Sequence, residues 1–197
     1  MLKEKLKDYK IILASGSPRR QSFFEDMGIP FEIKLKPVKE EYPSHLSRAE
    51  ITDFLSELKS EAFEGALRTN DILITSDTIV WHDGAALGKP ADPAQATEML
   101  RSLSDKTHEV ITSVCFRTSE HLKIVNCTTR VKFYKLSEEE IAYYINEYRP
   151  FDKAGAYGIQ EWIGLVGIEH IEGSYFNVVG LPTHLVYESL MEIAAGD

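Results

Sequence analysis

Short apolar runs alternate along the chain with longer segments in which apolar residues recur at helical spacing. Residues 11–14 and 72–76 are short apolar runs that end at small or polar residues, so each predicts a buried strand. Residues 108–117 and 122–135 predict two longer strands, and the alternating pattern of residues 31–36 predicts a half-exposed one. Strands interleaved with helices indicate an α/β fold.

Helix-start signals precede the apolar stripes. The predicted helices open at Ser17, Ser47, Asp92, Ser137 and Pro182. We expect the second helix to begin with a capping box, in which Ser47 and Glu50 each bond the other's backbone N–H. Between the second and third helices, Asp83 and Gly84 predict a tight hairpin turn. Residues 152–180 are rich in glycine, which predicts either ordinary turns or backbone that lies close to a ligand.

Composition narrows the class of protein. The 197 residues contain no repeat or linker, so we predict a single domain over residues 1–197. A net charge of −9 argues against binding to nucleic acid or to an anionic membrane, and no apolar run has the length of a membrane span. Cys115 and Cys127 lack metal-ligand spacing, which predicts free thiols in a reducing compartment. We therefore expect a cytoplasmic protein.

The turn after the first strand is a candidate anion site. Ser15, Gly16 and Ser17 allow the backbone to turn tightly into a helix, whose N-terminal N–H groups attract anions. Arg19 and Arg20 add bidentate donors in the first helical turn. An ordinary βα turn with two solvated arginines is the alternative, and the local sequence favours neither.

Further charged residues lie where α/β sheets bind ligands, near the ends of strands. Asp77 follows the second apolar strand, Glu40 lies in the loop after residues 31–36, and Lys89 follows the hairpin. Lys59 projects from the edge of a helical stripe. A few cations around one or two carboxylates suit a Mg²⁺-bound polyphosphate. The alternatives are an Asx-turn for Asp77 and a solvent-directed side chain for Lys59.

Several common motifs are absent. The sequence has no G-x-x-x-x-G-K-[ST], no G-x-G-x-x-G after its first strand and no G-x-S-x-G. It therefore does not indicate a P-loop protein, a dinucleotide-binding fold or an α/β-hydrolase nucleophile. The six histidines are scattered and form no metal-ligand pair.

Five segments, in this order, resemble the motifs of the Maf (septum-formation-inhibitor-like) nucleotide pyrophosphatases. They are residues 13–20, 76–78, 88–90, 152–160 and 173–182. The resemblance implies an elongated mixed sheet with flanking helices and two lobes around a cleft, similar to inosine triphosphate pyrophosphatases. It also implies hydrolysis of nucleoside triphosphates to the monophosphate and pyrophosphate with Mg²⁺ or Mn²⁺, in nucleotide-pool housecleaning, and it suggests a homodimer.

The resemblance gives roles to the candidate residues. Asp77 is the expected proton acceptor for the water that attacks the α-phosphorus, or a ligand of the metal that activates this water. Glu40 is the expected second acidic group on the metal. The groups expected to bind or neutralise phosphate are Ser15, Ser17, Arg19, Arg20, Lys59 and Lys89.

Three positions resemble the subfamily that acts on dTTP and UTP: Arg19, Thr78 and Gln160. A glutamine amide can donate to O4 and accept from N3–H of thymine or uracil, although a flipped amide would also match cytosine. Two positions depart from the family pattern. Ser76 replaces a common alanine, and Glu161 follows Gln160 where glycine is usual, so modified pyrimidine nucleotides stay among the expected substrates.

A nucleotide-binding regulator of cell division or septum formation, without significant turnover, is the alternative function. The presence of all four charged groups argues against lost catalysis. These groups are Glu40, Lys59, Asp77 and Lys89.

Overall fold

A mixed β-sheet and a set of helices form the scaffold of the protein. The computed structural model describes residues 2–195. The elements, in chain order, are α1 (Leu2–Lys5), β1 (Lys10–Leu13), α2 (Pro18–Asp26), β2 (Glu32–Ile33), α3 (Ala49–Glu61), β3 (Asp71–His82), β4 (Ala85–Leu87), α4 (Pro93–Leu103), β5 (Thr107–Arg117), β6 (Leu122–Phe133), α5 (Glu138–Tyr148), a 3-10 helix (Ala154–Ala156), α6 (Trp162–Gly167), β7 (Ile168–Glu172), α7 (Tyr175–Val179) and α8 (Thr183–Ile193).

The sheet contains both parallel and antiparallel pairs. Its strand order is β2-β1-β3-β5-β6-β7, and β4 pairs with β3 outside this path. β1 runs parallel to β2 and to β3, whereas β4 is antiparallel to β3 and β7 is antiparallel to β6. The prediction of a mixed sheet with flanking helices is therefore confirmed. No helix in residues 2–195 combines the length and the apolar character needed to cross a bilayer.

The described residues divide into two compact units. The first contains residues 2–77, 112–127 and 180–195, and the second contains residues 78–111 and 128–179. β3, β5 and β6 each contribute residues to both units. The cleft implied by the resemblance and the single domain over residues 1–197 stay predictions.

The first unit is built on the predicted strand, turn and helix. β1 pairs in parallel with β3, with Ile11 opposite Ile72 and Leu13 opposite Ile74. Phe24 of α2 is fully buried in the same apolar cluster, and burying one such side chain stabilises the fold by about 1.5–3 kcal/mol. These contacts confirm the first two predicted strands and the helix that follows the first.

Two predictions for the first unit are wrong. The predicted strand over residues 31–36 is reduced to the two residues of β2. Ser47 and Glu50 do not form a capping box: both the N–H and the hydroxyl of Ser47 donate to the Glu50 carboxylate, at 3.0 and 3.1 Å. The N-cap of α3 is Arg48, whose φ is +51°, and no side chain makes a capping bond there.

Helix α3 buries hydroxyl groups as well as apolar side chains. Thr52, Ser56 and Ser60 are fully buried at four-residue spacing. Each hydroxyl donates to a backbone carbonyl three residues earlier, which satisfies its hydrogen bond inside the helix. The buried face of α3 therefore includes the small polar residues beside Lys59.

In the second unit, α4 and α5 begin at the predicted cap residues. Asp92 accepts the Gln95 N–H at 2.8 Å at the start of α4. A full capping box of Ser137 and Glu140 opens α5. The hairpin between β3 and β4 turns at Asp83 and Gly84, with φ values of +47° and +82°. Both helices pack their apolar faces into one buried cluster.

The glycine-rich segment of the second unit forms short elements joined by tight turns. The elements are the 3-10 helix, α6, β7 and α7. At Gly164 a Cβ atom would lie 1.7 Å from the Ile159 carbonyl oxygen, so only glycine lets the first turn of α6 pack this closely on the preceding turn. The segment therefore holds three short helices and one strand where ordinary turns between edge strands were one prediction, and the bound ligand beside it stays a prediction.

Candidate functional site

Asp77 lies inside a strand. β3 continues from Asp71 to His82, so the prediction that the strand ends before Asp77 is wrong, as is its alternative of an Asx-turn. Backbone hydrogen bonding carries β3 past Asp77 into the hairpin with β4. The Asp77 side chain is only 10% exposed. A carboxylate this far from water requires a charged or hydrogen-bonding partner.

Lys59 supplies that partner. Its Nζ lies 2.6 Å from Asp77 Oδ1 and 2.9 Å from Glu40 Oε1. It also contacts the Ser76 carbonyl oxygen at 3.4 Å. The Lys59 side chain is 17% exposed, so the alternative of a solvent-directed lysine is wrong. One ammonium thus joins two carboxylates, and the three groups together carry one net negative charge.

Arg20 fixes the backbone next to Asp77. Its Nε donates to the Gly180 carbonyl at 2.8 Å, and its Nη1 donates to the Ser76 carbonyl at 2.9 Å. Burial lowers the pKa of Arg20, and the charge of Asp77 opposes this effect. Arg20 therefore has a structural function in the site, whatever part it takes in phosphate binding.

Side-chain hydrogen bonds stabilise the turn between β1 and α2. Ser15 is buried, and its Oγ accepts the Ser17 N–H at 3.3 Å. The Ser15 carbonyl accepts a hydrogen bond from the Gln21 amide at 3.1 Å. Ser17 is the N-cap of α2, but its hydroxyl makes no capping bond. Arg19 is half-buried in the first turn of α2. This geometry agrees with the predicted turn, while its phosphate ligand stays a prediction.

The other predicted residues belong to the second unit. Thr78 is half-buried and follows Asp77 directly along β3. Lys89 is exposed just after β4, and Gln160 is exposed in the turn before α6. The Gly155 N–H donates to the Gly88 carbonyl at 3.0 Å and so ties the Lys89 segment to the 3-10 helix. Within the first unit, the structure brings together Arg20, Glu40, Lys59 and Asp77.

Two carboxylates are the available donors for a divalent cation. No group of three or more His, Cys, Asp and Glu side chains in residues 2–195 is arranged to hold a metal. Asp77 and Glu40 nevertheless converge on the same Lys59 ammonium. This donor set fits Mg²⁺ or Mn²⁺, because a cation that carries substrate phosphates needs only one or two protein carboxylates.

One buried charged cluster was not predicted from the sequence. Lys153 is 8% exposed, and its Nζ lies 2.7 Å from Asp152 Oδ1 and 3.1 Å from Glu161 Oε1. The Tyr144 hydroxyl donates to the other oxygen of Glu161. Burial and this hydrogen bond raise the pKa of Tyr144. The available signal was a lysine inside a glycine-rich motif, followed by an acidic residue where the family pattern has glycine.

Comparisons with known proteins agree with this scaffold. The chain matches the model of the family described as Maf-like protein over residues 10–193. A protein of Christiangramia forsetii, named dTTP/UTP pyrophosphatase, is 61% identical over 98% of this chain and 98% of its own length. Proteins of the same name from Flavobacterium johnsoniae and Bacteroides fragilis are 60% and 50% identical, over 96% and 94% of this chain and 98% and 96% of their own lengths.

A distant structural relative shares the fold. The structure of a HAM1 protein from Coxiella burnetii aligns with 93% of this chain and 99% of its own, with a TM-score of 0.51 and 15% sequence identity. The family model covers nearly the whole sequence, and the relatives are similar along their full length. This chain therefore belongs to the Maf family.

Proposed function

We propose that this protein hydrolyses dTTP and UTP, and modified pyrimidine nucleotides of the same shape, to the monophosphate and pyrophosphate. The observation that carries the proposal is the convergence of Asp77 and Glu40 on the Lys59 ammonium beside Arg20. The names of the relatives, which are 46–61% identical, support the same substrates.

Asp77 is proposed to accept a proton from the attacking water. The water oxygen forms a bond to the α-phosphorus, the bond from that phosphorus to the bridging oxygen breaks, and pyrophosphate leaves with the bonding electrons. Lys59 and Lys89 stabilise the negative charge that develops on pyrophosphate. Ser15, Ser17 and Arg19 bind phosphate oxygens at the start of α2, where backbone N–H groups favour anions.

Asp77 and Glu40 would hold Mg²⁺ or Mn²⁺. When bound, the cation neutralises phosphate charge and polarises the phosphoryl oxygens. Lys59 contacts both carboxylates, so it keeps the two side chains facing one point and limits their mutual repulsion. Arg20 holds the Ser76 carbonyl and thereby the backbone from which Asp77 projects.

Gln160 is proposed to recognise the base. Its exposed amide would donate to O4 and accept from N3–H of uracil or thymine. Arg19 and Thr78 complete the set of residues that matches the dTTP/UTP subfamily. We also propose a cytoplasmic location, and the reduced thiol of Cys115, buried in β5, is consistent with that compartment.

The test is a panel of nucleoside triphosphates incubated with the purified protein and Mg²⁺ or Mn²⁺, with pyrophosphate as the readout. We expect release from dTTP and UTP well above release from purine nucleotides, loss of release with a chelator, and recovery when the metal is restored. Nucleotide binding without pyrophosphate release under any of these conditions would contradict hydrolysis and favour a regulator.

A further inference from the structure

The turn that presents Gln160 is fixed on both sides. The Glu161 N–H donates to the Gly158 carbonyl at 3.0 Å, which closes a tight turn over residues 158–161. Ile159 is 5% exposed and anchors the turn in the core of the second unit. Gln160 lies between these constraints and is exposed. Its backbone is therefore held in place while its amide can reach a ligand.

The charged cluster of Lys153, Glu161 and Tyr144 holds this same turn. The Tyr144 hydroxyl donates to Glu161 Oε2 and accepts the Gly158 N–H at 2.9 Å, so one phenol joins both ends of the turn. Lys153 Nζ lies 3.1 Å from the other carboxylate oxygen, Glu161 Oε1. Tyr144 is fully buried, and the Glu161 side chain is 19% exposed. Such hydrogen bonds to charged groups are strong and directional.

The backbone of the turn packs closely against the side chains of the cluster. A Cβ at residue 158 would lie 3.0 Å from both Lys153 Cε and Glu161 Cδ. On the opposite side, Gly164 packs so closely that a Cβ would meet the Ile159 carbonyl oxygen. The side chains of the cluster thus contact the turn backbone directly, and a change in the cluster displaces the turn.

We propose that Lys153, Glu161 and Tyr144 are positioning residues that set pyrimidine selectivity by holding Gln160. This inference rests on the proposed function. Lys153 and Tyr144 each bond one oxygen of Glu161, and through these bonds the carboxylate acts on the turn. Glycine, the usual residue after Gln160 in the family pattern, has no side chain that could make these bonds.

The first test compares two substitutions with matched controls. Glu161→Gln removes the charge, and Tyr144→Phe removes the hydroxyl. Glu147→Gln and Tyr143→Phe make the same chemical changes at exposed positions of α5, the helix that carries Tyr144. We expect each test variant to lower the ratio of kcat/KM for dTTP to that for dGTP by about tenfold. The fall should come mainly from a higher KM for dTTP, with kcat within about twofold of wild type and both controls unchanged.

A double-mutant cycle with Gln160→Ala separates positioning from general stability. If Glu161 acts through Gln160, then Glu161→Gln has no further effect on selectivity once Gln160 is alanine. Additive effects would overturn the inference. Should Glu161→Gln lose its native circular dichroism spectrum, the same cycle with Tyr144→Phe decides. A wild-type protein that releases no pyrophosphate would instead refute the proposed function and this inference with it.

Discussion

Lys59 contacts both Asp77 and Glu40, and the two carboxylates differ in burial. The Asp77 side chain is nearly buried, whereas the Glu40 side chain is 50% exposed. The two carboxylates therefore differ in their access to water. The more buried Asp77 is suited to act on one ordered water, and the more exposed Glu40 is suited to exchange a hydrated cation.

Asp77→Asn should abolish pyrophosphate release and preserve the fold. The substitution keeps the shape of the side chain but removes the proton acceptor, which typically contributes about 10²–10⁴-fold to the rate. The measurement is pyrophosphate release from dTTP with Mg²⁺, beside a circular dichroism spectrum. Asp8→Asn, at an exposed position of the same unit, is the control and should retain full activity. Near-normal turnover of Asp77→Asn would contradict the assignment.

Lys59→Met should lower both activity and stability. Without the ammonium, the nearly buried Asp77 carboxylate loses its closest charged partner, which we expect to cost about 1–3 kcal/mol of unfolding free energy. Chemical denaturation measures this loss. Lys39→Met is the control, because its ion pair with Glu41 is 80% and 70% exposed and should contribute less than about 1 kcal/mol. Equal losses in the two variants would show that the Lys59 contacts do not stabilise the protein.

The sequence identified the charged residues of the site but not their contacts. Lys59 and Asp77 stand 18 positions apart, and only the packing of α3 beside β3 makes them partners. The residue pattern favoured a solvent-directed Lys59 because its neighbours at helical spacing are apolar. The contacts of Glu161 could not be predicted for the same reason. Its partners Lys153 and Tyr144 lie on other elements, and no local residue pattern joins them to Glu161.

At the scale of elements, the local chemistry of helix starts explains which predictions succeeded. Asp92 and Ser137 cap α4 and α5 as predicted, because each side chain accepts a backbone N–H of the first turn. Ser47 has the same sequence signature, but its hydroxyl donates to Glu50. The N-cap position of α3 falls on Arg48 instead, so the Ser47 signature lies one residue before that position and makes no capping bond.

Two serine-to-alanine substitutions test this difference. Ser137→Ala removes a capping bond and should cost about 1 kcal/mol of unfolding free energy. Ser47→Ala removes only an exposed hydroxyl contact and should cost less than half as much. Urea denaturation of both variants beside wild type gives the comparison. Equal costs would mean that the Ser47 hydroxyl caps α3 in solution.

Strand β2 shows why the other element prediction failed. Residues 31–36 alternate in polarity, yet only Glu32 and Ile33 pair with β1. Ile33 is 48% exposed and Leu35 is 61% exposed, so a longer pairing with β1 would gain little stability from apolar burial. Alternation predicts a strand only where one face meets a core.

At the scale of the whole molecule, the sheet order is the feature that no local pattern contains. The sequence predicted most strands, but β5 lies beside β3, and β7 beside β6, through pairings between distant parts of the chain. The continuation of β3 through Asp77 depends on its neighbour β5 and on the β4 hairpin, because Asp is uncommon in strands. The mixed sheet was predicted from the family resemblance, because that resemblance rests on motifs spread along nearly the whole chain.

Global stability should fall with acid because His108 is buried. Its Nε2 lies 2.7 Å from the Tyr157 hydroxyl, and burial lowers the pKa of His108 to about 3. The unfolded chain takes up this proton near pH 6.5 and the folded chain only near pH 3, so the free energy of unfolding falls as the pH drops through this window. Between pH 7 and pH 5 the loss from this group is on the order of 2 kcal/mol.

Denaturation at pH 7 and pH 5 tests this effect in His108→Gln, with His121→Gln as the control. His121 is 85% exposed, so His121→Gln should show the same change in unfolding free energy between pH 7 and pH 5 as wild type. His108→Gln should show a smaller change. An unchanged slope in His108→Gln would assign the acid sensitivity to other groups.

The hydrogen bond from Arg20 to Gly180 has a consequence for synthesis of the protein on the ribosome. The donor is made early, but its acceptor lies 160 positions later. The same is true of the core, where Leu181, Val186 and Leu190 of the last segment pack with Ile11 and Phe24 of the first. The first unit therefore cannot close before residues 180–190 have left the ribosome. Until then, the nascent chain must keep β1 and α2 without these packing partners.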